Sequence, residues 1–162
     1  GTRSPTVHDI GVSIAPWLST FEILTHPEMG NASRDTVLGC LEEVDWYERS
    51  LSSRRYKLKG KNGTRQINFC QKLYVELYKA RNDFVHGNDV NYRSVFAFGK
   101  RRLPVLNGCA ILIYRAAISA YTQQLTGEED GRNDDMLEEF ARRLKPRPHE
   151  DALLAIQQRS RG

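Results

Sequence analysis

Residues 79–88, KARNDFVHGN, decide how the rest of this chain is interpreted. Upstream of them, apolar side chains recur at helical spacing, and at about 100° per residue they form one stripe along a helix. The stripe is made of Cys70, Leu73, Tyr74, Leu77 and Phe84. Arg81 falls within it, and a buried guanidinium without a partner is costly. We therefore expect an acidic group to meet Arg81: a carboxylate, a phosphate or a group from a second subunit.

The same stretch marks the end of a helix. His86 follows Arg81 by five residues, roughly 140° further round the helix axis. Gly87 predicts a helix terminus, because glycine readily adopts the left-handed conformation found just beyond the last turn. The helix is predicted over residues 64–86, which places the arginine and the histidine near one helix end.

This stretch also carries a family resemblance. Arg81 and His86 fit the R-x4–6-H signature of the HEPN superfamily, Asn82 supplies its polar residue after the arginine, and Val85-His86-Gly87 resembles the Apea-like branch. The resemblance covers about residues 10–126. It implies an all-α, up-and-down four-helix bundle that forms a homodimer, with the motif residues of both subunits in a shared cleft. Many members of the superfamily are metal-independent endoribonucleases, often in prokaryotic antiviral defence or toxin systems.

The resemblance implies a chemistry for three residues. RNA cleavage by an attacking 2′-hydroxyl requires a group that accepts its proton and a charge that stabilises the phosphoryl oxygens. His86 can transfer protons near neutral pH, and Arg81 can clamp phosphate oxygens with its fork of donors. Asn82 would orient the histidine or hold a phosphate oxygen, since an amide cannot act as a base. The implied catalytic set is Arg81, His86 and Asn82, with no metal and no cofactor, and the products carry a 2′,3′-cyclic phosphate and a 5′-hydroxyl.

Other interpretations of the motif stay open. The chain can be a non-catalytic HEPN-like module that dimerises or binds nucleic acid within a larger protein. It can also be a purely structural helical domain, in which Arg81 forms an internal ion pair and His86 favours the negative end of the helix dipole. Glu22, on the predicted first helix, is a candidate partner for Arg81. Tyr74 and Tyr78 are interpreted as core or interface residues rather than as platforms for RNA bases.

Residues 52–65 form a basic segment with no acidic residue. Its cationic side chains are Arg54, Arg55, Lys57, Lys59, Lys61 and Arg65. One interpretation is a solvated loop with a glycine-rich tip, and the other is a surface that contacts RNA phosphates. In the second case the RNA-binding residues are Arg54, Arg55, Lys57 and Lys59.

Composition bounds the class of protein. The 162 residues suffice for one domain, and the net charge of +4 favours an anionic partner only weakly. Three cysteines far apart indicate buried, reduced thiols, and the histidines lack metal-ligand spacing. The longest apolar run is too short to span a membrane. We expect a soluble cytoplasmic protein whose partners are RNA, a second copy, other domains of a larger parent protein or a cognate antitoxin.

The predicted elements follow from periodicity and helix signals. A HEPN-like bundle is predicted over residues 1–126, with residues 127–162 as a helical C-terminal extension of the same domain. A first helix is predicted from Ser13, with Pro16 in its first turn. Further helices are predicted over residues 35–51, 64–86, 104–125, 134–144 and 150–158, and residues 88–102 are predicted to be a long loop.

Overall fold

The computed structural model describes residues 6–26, 33–60, 63–127 and 147–161. The described chain is mostly helical with one small two-stranded sheet. Its helices are α1 (Val7–Leu24), α2 (Arg34–Glu42), α3 (Arg49–Ser53), α4 (Phe69–Val85), α5 (Tyr92–Val95), α6 (Leu106–Gly127) and α7 (Pro148–Arg159), and its strands are β1 (Tyr56–Gly60) and β2 (Gly63–Ile67). The core lies between α1, α2, α4 and α6, and the predicted helix over residues 134–144 falls outside the described residues.

Helix α1 begins earlier than predicted. A capping box fixes its start, because the Thr6 hydroxyl accepts from the Asp9 amide at 3.2 Å and the Asp9 carboxylate accepts from the Thr6 amide at 2.7 Å. Pro16 therefore lies inside the helix rather than in its first turn. It sits on the exposed side, where water can reach the carbonyl of Val12 that loses its hydrogen bond.

The helix predicted over residues 35–51 is confirmed at both ends, but residues 43–48 between them are not helical. Helix α2 starts after Ser33, whose hydroxyl accepts from the Thr36 amide at 3.2 Å, and ends at Glu42. The chain then leaves the helix and brings Val44 and Trp46 into the core, before the short helix α3. The apolar positions thus continue beyond the helix, but in non-helical chain.

Two buried side chains at the start of α4 close the end of α2. Asn68 caps α4 in a capping box with Gln71. The side-chain amide of Asn68 also donates to the Leu41 backbone carbonyl at 2.9 Å, and the side-chain amide of Gln71 donates to the Leu38 backbone carbonyl at 2.7 Å. The Leu41 carbonyl belongs to the last turn of α2, where carbonyls have no partner within their own helix, so the bond from Asn68 satisfies it. Together the two bonds join α4 to α2.

The segment predicted as a basic loop forms an antiparallel β-hairpin. Tyr56 pairs with Ile67 at its base, and Leu58 pairs with Arg65 further along. The Tyr56 ring packs against Phe69 and Phe98, each with ring centroids 6.1 Å away, and this contact anchors the hairpin to α4. The described chain is mostly helical apart from this hairpin, which agrees roughly with the all-α prediction. The up-and-down four-helix bundle stays a prediction.

The predicted loop after α4 is partly structured. Residues 92–99 form α5 and a short 3-10 turn, and Phe96 makes an isolated β-bridge with Val105. Phe98 has a positive φ of 54°, and its amide donates to the Glu76 carboxylate at 2.7 Å. Helix α6 follows at Leu106, two residues after the proline that was predicted to open it.

Helix α7 packs against α6 and α3, and buried polar contacts join it to α3. Glu150 is 1% exposed, and its carboxylate accepts from the Glu48 backbone amide at 3.0 Å and from the Arg147 guanidinium at 2.9 Å. Gln157 donates to the Ser50 carbonyl at 3.0 Å. These bonds hold the C-terminal helix in place alongside the burial of its apolar side chains.

The cysteines are free. Cys70 and Cys109 are buried and Cys40 is half-buried, so the prediction of buried thiols is confirmed for the first two. Burial raises the pKa of the Cys70 thiol and raises that of Cys109 to about 12, which keeps both protonated. Among the described helices, none has the length and apolar character needed to cross a membrane.

Candidate functional site

The motif end of α4 lies beside the start of α1. The two helices run antiparallel, because Gly11 lies against Phe84 while the Phe21 ring packs edge-on to Tyr74 at 5.2 Å. The approach at Gly11 is close: a Cβ atom there would stand 2.4 Å from the Phe84 ring. His8, one turn earlier, contacts the same ring at 5.4 Å. The register of α1 against α4 is therefore fixed directly beside the motif.

Arg81 lies on a half-buried side of α4 rather than on the side that faces the protein core. The residue is half-buried, and Val85, one turn further on, is 53% exposed. The Arg81 Nη1 atom donates to the Asn82 Oδ1 atom at 3.0 Å. Within the described parts of the chain, Arg81 makes no ion pair with a carboxylate. The expected internal carboxylate is thus not found there, and the partial exposure explains why the guanidinium does not require one.

Glu22 does not pair with Arg81, and the register explains why. Because Phe21 lies beside Tyr74, Glu22 is also level with Tyr74, seven residues before Arg81 along α4. At about 1.5 Å per residue this is an axial separation of roughly 10 Å. The carboxylate therefore faces an earlier part of the helix.

Asn82 and His86 occupy the last turns of the same helix. The side-chain oxygen of Asn82 accepts the hydrogen bond from the Arg81 guanidinium. The backbone carbonyl of Asn82 accepts from the backbone amide of His86 at 2.9 Å. No bond between the two side chains is present in the described structure, so the role of Asn82 in orienting His86 stays a prediction. The His86 side chain is exposed. It is accessible to a ligand that approaches this end of α4.

The end of α4 is a Schellman motif. Gly87 has a φ of +68°, its amide donates to the Phe84 carbonyl at 3.3 Å, and the Asn88 amide donates to the Asp83 carbonyl at 2.8 Å. The Asn88 side chain adds a bond to the Asp83 carboxylate at 3.1 Å. The prediction that Gly87 ends this helix is confirmed.

Two tyrosines precede Arg81 on the same flank of α4. Tyr74 is fully buried, and its hydroxyl has no hydrogen-bond partner in the described structure. Burial raises the pKa of the Tyr74 phenol, and Glu22 raises it further while Arg34 and Arg81 act in the opposite direction. Tyr74 is thus a core residue, as predicted. Tyr78 is half-buried and packs beside it, with ring centroids 6.4 Å apart.

The four predicted RNA-binding residues at the hairpin differ in their exposure to solvent. Arg55, Lys57 and Lys59 are exposed, and the two lysines lie on the solvent face of β1 because successive strand side chains alternate. Arg54 is half-buried, with its guanidinium 5.2 Å from the centre of the Tyr56 ring. The structure thus presents three of the four cations to solvent and packs the fourth against an aromatic side chain.

Sequence reasoning missed Arg34, the first residue of α2. Its guanidinium lies 5.8 Å from the centre of the Tyr78 ring, between the hairpin and the flank of α4. Ser33 and Thr36 would have signalled a helix start at this position, but nothing in the local sequence predicts the contact with Tyr78. Among the described residues, no cluster of three His, Cys, Asp or Glu side chains is placed to hold a metal ion.

Comparisons of this chain with protein-family models, with curated proteins and with solved structures found no match.

Proposed function

We propose that this protein is a metal-independent endoribonuclease of the HEPN type. The observation that carries the proposal is the end of α4. There Arg81 is partly exposed and makes no ion pair with a carboxylate of the described chain, while His86 is exposed in the next turn. A guanidinium in this state is available to an external anion, and RNA supplies one at every phosphate. A role in antiviral defence or in a toxin system follows from the resemblance alone.

The proposed reaction assigns one task to each residue. His86 takes the proton of the 2′-hydroxyl, whose oxygen attacks the phosphorus. The bond to the 5′-oxygen breaks, and that oxygen takes a proton from the histidine of the second subunit, so a 2′,3′-cyclic phosphate and a 5′-hydroxyl remain. Arg81 stabilises the charge that develops on the phosphoryl oxygens. Asn82 donates its amide to a phosphate oxygen while its carbonyl holds the arginine.

The proposal includes a homodimer, because the resemblance implies a shared cleft to which each chain contributes one motif histidine, His86. Helix α6 supports this requirement with side chains that are apolar yet exposed: Ile111 at 43%, Ile118 at 38% and Tyr121 at 37%. Burial of such side chains against a second copy is favourable. Light scattering at micromolar concentration should give twice the mass of the chain, and the monomer mass of 18.6 kDa would contradict a shared cleft.

The test is RNA cleavage without divalent metal by the wild type, Arg81→Ala and His86→Ala. His86→Ala should lower the cleavage rate by about 10²–10⁴-fold with little change in RNA affinity, because proton transfer acts in the transition state. Arg81→Ala should lower both rate and affinity, since the charge also binds ground-state phosphate. Arg81→Lys should rescue poorly, because one ammonium cannot reproduce the guanidinium fork.

Two matched substitutions serve as controls. His26→Ala removes an exposed histidine beyond the far end of α1, away from the motif, and Arg101→Ala removes an exposed arginine that stacks on Tyr92. Both variants should cut RNA like the wild type. Wild-type rates in Arg81→Ala and His86→Ala, or loss of cleavage in EDTA, would refute the proposal.

A second candidate is a binding module that uses the same surface without chemistry. The bond between Arg81 and Asn82 favours it, because an arginine already oriented by its neighbour can dock a phosphate or a carboxylate without further rearrangement. This candidate predicts RNA affinity that depends on Arg81 and not on His86, with no cleavage products from any variant.

A further inference from the structure

A cavity of about 410 Å³ lies between the β-hairpin and the start of α2. Arg34 and Asp35 line it from the helix, and Arg65 and Thr64 line it from β2. Gly60 and Gly63, paired at the tip ends of the two strands, contribute only backbone to the lining, and Leu58 adds an apolar side chain. The space is open, polar on several sides and large enough for a phosphate group.

The charges in this cavity do not cancel. Asp35 is the carboxylate in the lining of the cavity, and the Arg65 guanidinium forms a close ion pair with it at 2.7 Å. Arg34 stands 3.9 Å from the same oxygen, at the outer limit of an ion pair. Two guanidinium groups therefore share one carboxylate, and Arg34 keeps most of its capacity to bind an anion. The positive end of the α2 dipole adds to the field at the same wall.

Arg34 also connects the cavity to the motif. Its guanidinium lies over the Tyr78 ring, and Tyr78 precedes Arg81 by three residues on one flank of α4. Residues three apart are neighbours on a helix surface. The cavity, Arg34, Tyr78 and Arg81 consequently follow one another along one side of the molecule, and a flexible anionic chain could contact both arginines.

We propose that this cavity binds a backbone phosphate of the single-stranded RNA whose cleavage is assigned to Arg81 and His86, with Arg34 as the principal cation. The proposal takes its ligand class from the proposed function. Arg65, held by Asp35, shapes the wall and contributes less to binding. The Thr64 hydroxyl is a further donor at the same wall. The cavity positions the strand, while chemistry stays at the end of α4.

The test measures binding separately from cleavage. The probe is a short fluorescein-labelled single-stranded oligonucleotide with 2′-O-methyl groups throughout, which cannot be cut by 2′-hydroxyl attack. By fluorescence anisotropy, Arg34→Ala should weaken its binding about tenfold. The slope of log K against log salt should fall by about 0.7, the value for one lost contact to a single strand. Arg34→Gln, which retains the stem of the side chain, should behave like the alanine variant.

Arg101→Ala is the matched control, because Arg101 also stacks on a tyrosine ring, at 5.4 Å from Tyr92, but does not line this cavity. Its affinity and salt slope should equal those of the wild type. An unchanged slope in both Arg34 variants would overturn the proposal, and so would an equal loss in Arg101→Ala or a wild type that does not bind the probe. If binding depends on Arg34 while unmodified RNA is never cut, the cleavage assignment fails and the phosphate site stands.

Discussion

Substitution of Gly11 by alanine should destabilise the protein, although alanine favours a helix. A methyl group there would stand 2.4, 2.8 and 2.9 Å from three atoms of the Phe84 ring, distances that Cβ atoms do not tolerate. Alanine gains about 0.5–1 kcal/mol over glycine within a helix, whereas overpacking of a fitted contact costs about 1–3 kcal/mol. Because three ring atoms are involved, the clash should dominate, with a net loss of about 1–2 kcal/mol.

The assay is urea unfolding followed by circular dichroism. Gly39→Ala is the control: Gly39 lies within α2, it is exposed, and an added Cβ would meet no atom within 4 Å. That variant should gain about 0.5–1 kcal/mol from helix propensity alone. The two glycine substitutions should therefore change the free energy of unfolding in opposite directions.

The contact also predicts an effect on function. Phe84 lies between Arg81 and His86 on α4, so a displaced ring should shift the motif and lower RNA cleavage. Phe84→Leu in the Gly11→Ala background should recover part of the stability, and a double-mutant cycle would measure the coupling. If Gly11→Ala is stabilised as much as Gly39→Ala, the close approach of α1 to α4 is refuted.

Three further results are expected. Glu150→Gln should lower the free energy of unfolding in urea by about 2–3 kcal/mol, because an amide replaces a buried carboxylate that accepts from two donors. Asp151→Asn, at an exposed position, should leave this free energy almost unchanged. Hydrogen bonds from the N-cap threonine, first from its backbone, lower the pKa of Asp9. Its stabilising effect is therefore present above the ordinary aspartate pKa and is lost below about pH 4, and Asp9→Asn should reduce this acid dependence of the melting temperature. Replacing Lys57 and Lys59 by serine should reduce the salt slope of RNA binding by about 0.7 per contact without changing the cleavage rate at saturating RNA; an unchanged slope would identify the hairpin as a solvated surface.

The best-predicted element is α4, because its signals are local. The apolar positions at helical spacing and the glycine after His86 correctly predict a helix that ends at this glycine. The predicted start at Thr64 is five residues too early, because residues 64–67 belong to β2. The half-buried state of Arg81 is not predicted, because it depends on how α4 packs against α1, α2 and α6, and no local pattern reveals such packing.

Other elements were mispredicted where one signal outweighed another. Pro16 suggested a helix start, although Thr6 and Asp9 carry the spacing of a capping box. The alternation around Tyr56 and Leu58 is typical of a strand, but the density of positive charge favoured a loop. The end of α2 depends on bonds from Asn68, which lies 27 residues from its acceptor Leu41, and no local pattern reveals such a contact.

In the Schellman motif at the end of α4, the groups that close the helix are different from the His86 side chain. The bonds that close the helix are donated by backbone amides of Gly87 and Asn88, and the left-handed turn belongs to the glycine. The imidazole of His86 takes no part in them. The chain can therefore exchange this histidine for almost any residue without losing the architecture of the helix end. Under the proposed reaction, such replacements would remove proton transfer and leave the helix end folded. In evolutionary terms, one substitution would then turn a nuclease of this architecture into an inactive binding protein with the same fold.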